Sequence, residues 1–315
     1  MPDDQNKERN FFASTLRRET VDLGFEQKRT HIIAVGNQKG GVGKSTVSTH
    51  LAAALGEMGR RCLIWDLDSN SGTTRCFSLP ETFLGAFEVM IGDEEPEDII
   101  ITNDPSEGIH LPKNVDVIIA RRNLDSLDEI LRSRNRFADG RDSLKSPLQK
   151  LRGKYDYIFL DTAPNTNPPT MAAYKAAEWF IISAIPDPLA IKGINDAMAD
   201  IQAVRDNGNP KLELLGVVLS CVDKRTRLAI QLSSFVHEAF PEHAGSFQVQ
   251  LSRAVAIPEA QKLGKTVLQV DPTHKVAAQY RDLARELEAR IEIREKVSVE
   301  TQANITDDFA RVANA

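Results

Sequence analysis

The chain has 315 residues, 41% hydrophobic and 27% charged, enough to bury a sizeable core as one large domain or two. Its formal net charge of -6 argues against a globally basic nucleic-acid binder but leaves room for a local basic patch. No run of about 18 apolar residues occurs. The opening MPDDQNKERN lacks an apolar signal core, and Cys62, Cys76 and Cys221 show no metal-ligand spacing, so the expectation is a cytoplasmic chain with no transmembrane segment.

Taken in chain order, residues 1–29 form a polar N-terminal extension in which FFASTLRRET suggests one short helix. IIAV (32–35) then predicts a strand and 45–58 a helix. CLIWDLD (62–68) and VDVIIA (115–120) follow as strands, and 124–135 and 143–152 as helices. YDYIFLD (155–161), WFIISAI (179–185) and LLGVVLSCV (214–222) are three more apolar strands, interleaved with helices over 192–206 and 225–240. Near-continuous apolar strands alternating with helices predict an α/β fold, a doubly wound and mostly parallel sheet flanked by helices with right-handed crossovers. The domain is expected to span 30–296, with an acidic flexible tail over 297–315. In such sheets a ligand sits beyond the carboxyl ends of the strands.

The stretch directly after the first strand is GNQKGGVGKST (36–46). A strand, a glycine-rich turn ending Gly-Lys-Ser and a helix make a phosphate-binding loop. Gly40, Gly41 and Gly43 let backbone N–H groups approach phosphate oxygens, with Val42 between them, and the helix that follows adds its positive N-terminal end. Lys44 is expected to reach the β- and γ-phosphates, Ser45 to ligate Mg2+ and Thr46 to approach the α-phosphate. Glycine is absent at 38, where Gln38 stands, and a second lysine, Lys39, opens the loop.

NQKGGVGKST resembles the deviant phosphate loop of the ParA/MinD family of ATPases, and NQKGG is nearest to its ParA branch. The resemblance implies ATP and Mg2+ as ligands. It also implies that Lys39 reaches the partner's nucleotide in an ATP-dependent homodimer, which makes Lys39, Lys44 and Asp68 the expected catalytic set. CLIWDLDSNSGTT resembles the family's two-carboxylate switch segment. By position Asp68 orients the attacking water, while Asp66 holds either the Mg2+ shell or the loop; both face one side because strand side chains alternate. Ser69, Asn70, Ser71 and Gly72 depart from the family's Pro-Gln-Gly-Asn. YDYIFLDTAP ends an apolar strand in Asp161, the arrangement in which a carboxylate holds Mg2+, and continues into an unusual NTNPPT. Far downstream, GVVLSCVDKRTR and IPEAQKLGK resemble the C-terminal half of ParA proteins, so the likeness runs over about 31–290.

From the resemblance follows the functional expectation: a Mg2+-dependent, partner-stimulated ATPase that dimerises with ATP. In that state it binds DNA nonspecifically, resides on the nucleoid and positions a DNA or protein cargo, with a ParB-like or adaptor protein stimulating hydrolysis. Lys224, Arg225, Arg227, Arg253, Lys262 and Lys265 are the candidate DNA contacts. Singly each reads as a solvated charge, and Ala256 stands where relatives commonly carry arginine. A MinD-like membrane- or scaffold-binding ATPase is the alternative. The net acidic C-terminal end lacks the basic polar face that membrane binding asks of a terminal helix. An iron–sulfur relative asks for bridging cysteines, and a kinase or synthetase for a substrate pocket; the sequence displays neither.

Overall fold

A computed structural model describes the backbone of residues 29–134, 140–223, 225–239 and 245–313. The helix suggested within 1–28 and the candidate contact Lys224 lie outside the described residues. In chain order the elements are β1 (His31–Gly36), α1 (Lys44–Glu57), β2 (Cys62–Leu67), α2 (Gly72–Cys76), α3 (Ala86–Ile91), β3 (Val115–Ile118), α4 (Leu127–Ser133), α5 (Lys145–Leu151) and β4 (Tyr157–Thr162). There follow α6 (Pro168–Ala176), β5 (Trp179–Ala184), α7 (Ala190–Asp206), β6 (Glu213–Leu219), α8 (Arg227–Ala239), α9 (Ala256–Lys262), α10 (Val267–Val270) and α11 (Lys275–Ala313).

All six expected strands form, and they pair in parallel in the order β3-β2-β4-β1-β5-β6. Each of β2, β4 and β5 is buried along its whole length, which is why none of them alternates in polarity. One apolar layer joins Leu63, Trp65 and Leu160 to Val89 of α3, Leu131 of α4, Leu148 of α5, Tyr174 of α6 and Ile201 of α7. On the opposite face Ile64 and Phe159 pack with Leu51 and Leu55 of α1, Val267 of α10 and Leu283 and Leu287 of α11. Arg290 of α11 ties the last helix to the sheet: its guanidinium lies 4.3 Å from the Phe247 ring centroid and donates to the Leu215 carbonyl at 2.8 Å.

Several short helices carry no apolar period of their own. The unusual NTNPPT starts α6: the Asn167 side chain accepts from Thr170 N–H at 3.1 Å, and Pro168 occupies the first turn, where no N–H is needed. Thr266 and Gln269 form a reciprocal capping box that opens α10. The helical backbone of α11 continues to Ala313, across the stretch expected to be a tail.

Candidate active site

Strand register brings the chemistry together. Asp161 at the end of β4 pairs with Val35 of β1 on one side and with Asp66 of β2 on the other. The loop after β1 and two carboxylates from neighbouring strands therefore meet at the same level, at the carboxyl edge of the sheet. Gly43, at φ +88, turns the chain into α1 in a conformation that side chains rarely adopt. Hydroxyls from two other strand ends fix the loop: Ser183 and Ser220 both donate to the Val42 carbonyl, at 2.8 and 3.0 Å. Asn37 bridges further, donating to the Ser183 carbonyl at 2.9 Å and accepting from Lys39 N–H at 2.9 Å.

Lys44 is 7% exposed, and no described carboxylate lies within ion-pair distance of its ammonium. Burial lowers its pKa, opposed by the more distant charges of Asp161 and Asp68. A nearly buried cation without a contacting anion is costly unless a ligand supplies the anion. Space for one exists, since a side-chain carbon built on Gly40 or Gly41 would meet nothing within 4 Å.

Asp161 is fully buried. One oxygen accepts from Thr73 Oγ1 at 2.8 Å, the Ser45 hydroxyl lies near enough to lower the carboxyl pKa, and Oδ1 has no partner among the described residues. Burial raises its pKa, offset in part by those hydroxyls and by Lys44. An orphaned carboxylate oxygen beside a serine hydroxyl is the donor set a hard cation such as Mg2+ prefers. The residues present therefore fit both a polyphosphate and its cation.

Asp66 is buried with both oxygens engaged. Oδ2 accepts from Thr74 N–H at 2.9 Å and Thr74 Oγ1 at 2.8 Å, and Oδ1 from Asp68 N–H at 3.2 Å. Of its two expected roles, this geometry matches holding the loop. Burial first, then the charge of Asp161, raises its pKa. Asp68, 9% exposed, accepts from Asn70 N–H and Nδ2 on Oδ1, while no described donor reaches Oδ2. The departing residues Ser71 and Gly72 have specific work: Ser71 takes a left-handed conformation and donates to the Ala120 carbonyl at 3.0 Å. Gly72 lies so near α1 that a Cβ there would come within 2.2 Å of Ser45 Oγ.

Lys39 pairs with Asp187 in the loop after β5. Both side chains are about one-third exposed, and a pair of that exposure is worth about 0–1 kcal/mol. Its release toward another ligand is cheap. Thr46 accepts at long range from Gln261 of α9, 3.4 Å away, and the same amide reaches Cys76 Sγ at 3.1 Å.

Of the candidate DNA contacts, Arg253 is brought beside the segment that leads to Arg225: Val222 bridges to Ser252, and both arginines act on Asp223. Arg225 is 89% exposed and holds Asp223 in a two-pronged pair that pulls the carboxyl pKa down to about 2. Arg227 and Arg253 are exposed, as is Lys262 at the end of α9, while Lys265 is half-buried. Sequence reasoning missed Asn37, Thr73, Thr74, Ser183, Asp187 and Ser220; the available signal was a hydroxyl residue closing an apolar strand, as in WFIISAI and VVLSC.

Residues 30–214 match the family described as AAA domain. The chromosome-partitioning ATPase Soj of Thermus thermophilus is 33% identical over 262 residues, covering 82% of this chain and 96% of that protein. A Mycobacterium smegmatis structure described as cobyrinic acid a,c-diamide synthase with ADP and magnesium superposes with a TM-score of 0.67 at 28% identity, covering 81% of this chain and 93% of that one. The septum site-determining protein MinD of Pyrococcus horikoshii, complexed with Mg-ADP, shares the fold with a TM-score of 0.63 at 24% identity, covering 82% and 96%. With the phosphate loop, the paired carboxylates and this likeness over four-fifths of its length, the chain belongs to the ParA/Soj family of P-loop ATPases.

Proposed function

We propose that this chain is an ATP-dependent dimerising ATPase that binds DNA nonspecifically in its ATP state and positions a DNA or protein cargo. The observation that carries the nucleotide part is Lys44, nearly buried and without a contacting anion among the described residues, in a loop whose Gly40 and Gly41 leave open space. Lys44 and the loop N–H groups would bind the phosphates, and Ser45 and Asp161 would hold Mg2+. The ion, when bound, supplies charge neutralisation at the phosphate oxygens.

Asp68, with Oδ2 free of described donors, would orient the attacking water. Lys39, loosely held by Asp187, would swing to a second protomer's nucleotide, and a cation supplied that way is worth about 10³–10⁵ in rate. Hydrolysis is then slow in the monomer, and ATP acts as a dimer switch that a stimulating partner resets. Arg225 and Arg227, which follow β6, and Arg253, whose N–H bonds to the Val222 carbonyl, would neutralise DNA phosphates together with Lys262 and Lys265.

The test is retention of a random-sequence duplex by the purified protein with ATP, ADP or no nucleotide, at two salt concentrations, with mass measured by light scattering. The expected result is ATP-dependent, salt-sensitive binding by a dimer, absent in Lys44→Ala. A dimer that ignores DNA would overturn the DNA reading and favour a membrane or protein scaffold. Tight nucleotide binding by Lys44→Ala would overturn the loop assignment.

A further inference from the structure

At the β3 edge the sheet is extended by a short segment whose outer backbone groups meet no partner among the described residues. Ile101 exchanges both backbone hydrogen bonds with Val117, at 2.8 and 2.9 Å, in an antiparallel bridge. Alternation turns the N–H and C=O of Ile100 and Thr102 the other way, and none of these groups has a hydrogen-bond partner among the described residues. The segment reads Asp-Ile-Ile-Ile-Thr over 98–102, without the lysine or proline by which natural proteins commonly blunt an edge. Residues 98–102, together with 82–84, wall an open groove of about 510 Å³. Phe83 and Leu84 at its side are 37% and 45% exposed, and Ile99 and Ile109 are buried in its walls.

We propose that this groove takes an extended, basic segment of a protein partner, added as a strand along Ile100 and Thr102. Strand addition draws its affinity from main-chain hydrogen bonds and its selectivity from pockets for alternate side chains, and the groove offers both. The charge identifies the partner's chemistry. Glu81 and Asp98 make no ion pair with any described residue, and the Asp104 carboxylate bonds to Ser106 and to the Glu107 N–H within its own turn, with no cation beside it among the described residues. An acidic rim around an apolar floor fits alternating apolar and Lys or Arg side chains. It disfavours a second copy of this chain, which would set Asp98 against an equally acidic edge, and it repels nucleic acid. The proposal is independent of the nucleotide reading.

The experiment uses the full chain and a fluorescein-labelled nine-residue peptide alternating Lys and Val, followed by anisotropy. Two control peptides carry Glu in place of Lys, or Pro at alternate positions. Thr102→Pro removes an N–H that bonds no described residue, and Ile101 before it is already extended, as a residue preceding proline prefers. Phe83→Asp and Asp98→Lys alter exposed side chains, and melting temperatures and nucleotide binding verify that all three variants fold. Saturable binding to the parent is expected, with both control peptides weak. Thr102→Pro and Phe83→Asp should each lose about tenfold or more in affinity, and Asp98→Lys about fivefold with improved binding of the Glu peptide. No saturable binding at millimolar peptide, or equal binding by the three variants, overturns the proposal. So does a fall in the mass of the nucleotide-free protein in Phe83→Asp, which would assign the edge to self-association.

Discussion

His50 lies on α1, one turn beyond the phosphate loop, and is fully buried. Its Nδ1 stands 3.0 Å from the Thr46 carbonyl and its Nε2 accepts from Val267 N–H at 3.2 Å, a pair of contacts that fixes a neutral ring protonated on Nδ1. Burial pushes its pKa down to about 4 from 6.5. Between those values the unfolded chain binds the proton and the folded one does not. The stability contribution is therefore complete above about pH 6.5 and is lost as pH falls toward 4, by about 3 kcal/mol. Asp66 and Asp161, whose values are raised, act with the opposite sign, so the informative comparison is between variant and parent at each pH. His50→Phe keeps a ring against Tyr280 but strands a buried N–H and should cost about 1–3 kcal/mol at pH 7, less at pH 5. Urea unfolding at the two pH values checks this, and an equal cost at both would refute the neutral-ring assignment. Asp68→Ala should retain ATP binding while turnover falls about 10²-fold or more; normal single-turnover rates would mean that another group orients the water. His50 offered no sign of its role in the sequence, because its partners are a carbonyl in its own helix and an N–H more than two hundred residues away. Lys44, Ser45 and Asp161 could be singled out as candidates because their spacing along one loop and one strand end is a local pattern.

At the scale of elements, α2 couples the two carboxylates to α1. Thr73 bonds to Asp161, Thr74 to Asp66 and to the Ala120 N–H, and Gly72 rests against Ser45. The segment that departs most from the family pattern is thus packed directly on the expected cation ligands. Gly72→Ala should overpack this contact, at a cost of about 1–3 kcal/mol, and should weaken nucleotide binding more in the presence of Mg2+ than in its absence. Calorimetric melting and paired nucleotide titrations test this; unchanged melting and unchanged affinity would mean that α2 moves aside freely. The strands were readable because six apolar runs are buried on both faces and need no partner to identify them. The five residues of α2 were not, since so short a helix shows no period and is held by its contacts with Asp66, Asp161 and Ala120.

For the whole molecule, the proposed DNA surface has to be assembled on a chain of net charge -6. Arg225 and Arg253 lie some thirty residues apart in sequence, and the Val222–Ser252 bridge brings the charge of Arg253 to Asp223, the carboxylate that Arg225 holds. Arg253→Glu should weaken DNA retention and make the log-log salt slope shallower by about 0.9 for each phosphate no longer neutralised, leaving ATP-dependent dimerisation intact. Unchanged retention would move the DNA surface elsewhere. Gln261, reaching from α9 to Thr46 and Cys76, gives that half of the molecule a direct contact with both α1 and α2.

The sequence by itself determined the phosphate loop, the parallel sheet and the family, because these depend on local spacing: glycines within one turn, a lysine and serine at one helix start, carboxylates closing apolar strands. Only the tertiary structure decided which oxygens are free. Asp66 and Asp161 both end buried strands, yet parallel register and the packing of α2 leave Asp66 saturated and Asp161 with an orphaned oxygen. Hydrogen-bond satisfaction is set by groups brought from elsewhere in the chain, and those distances are written in no local pattern.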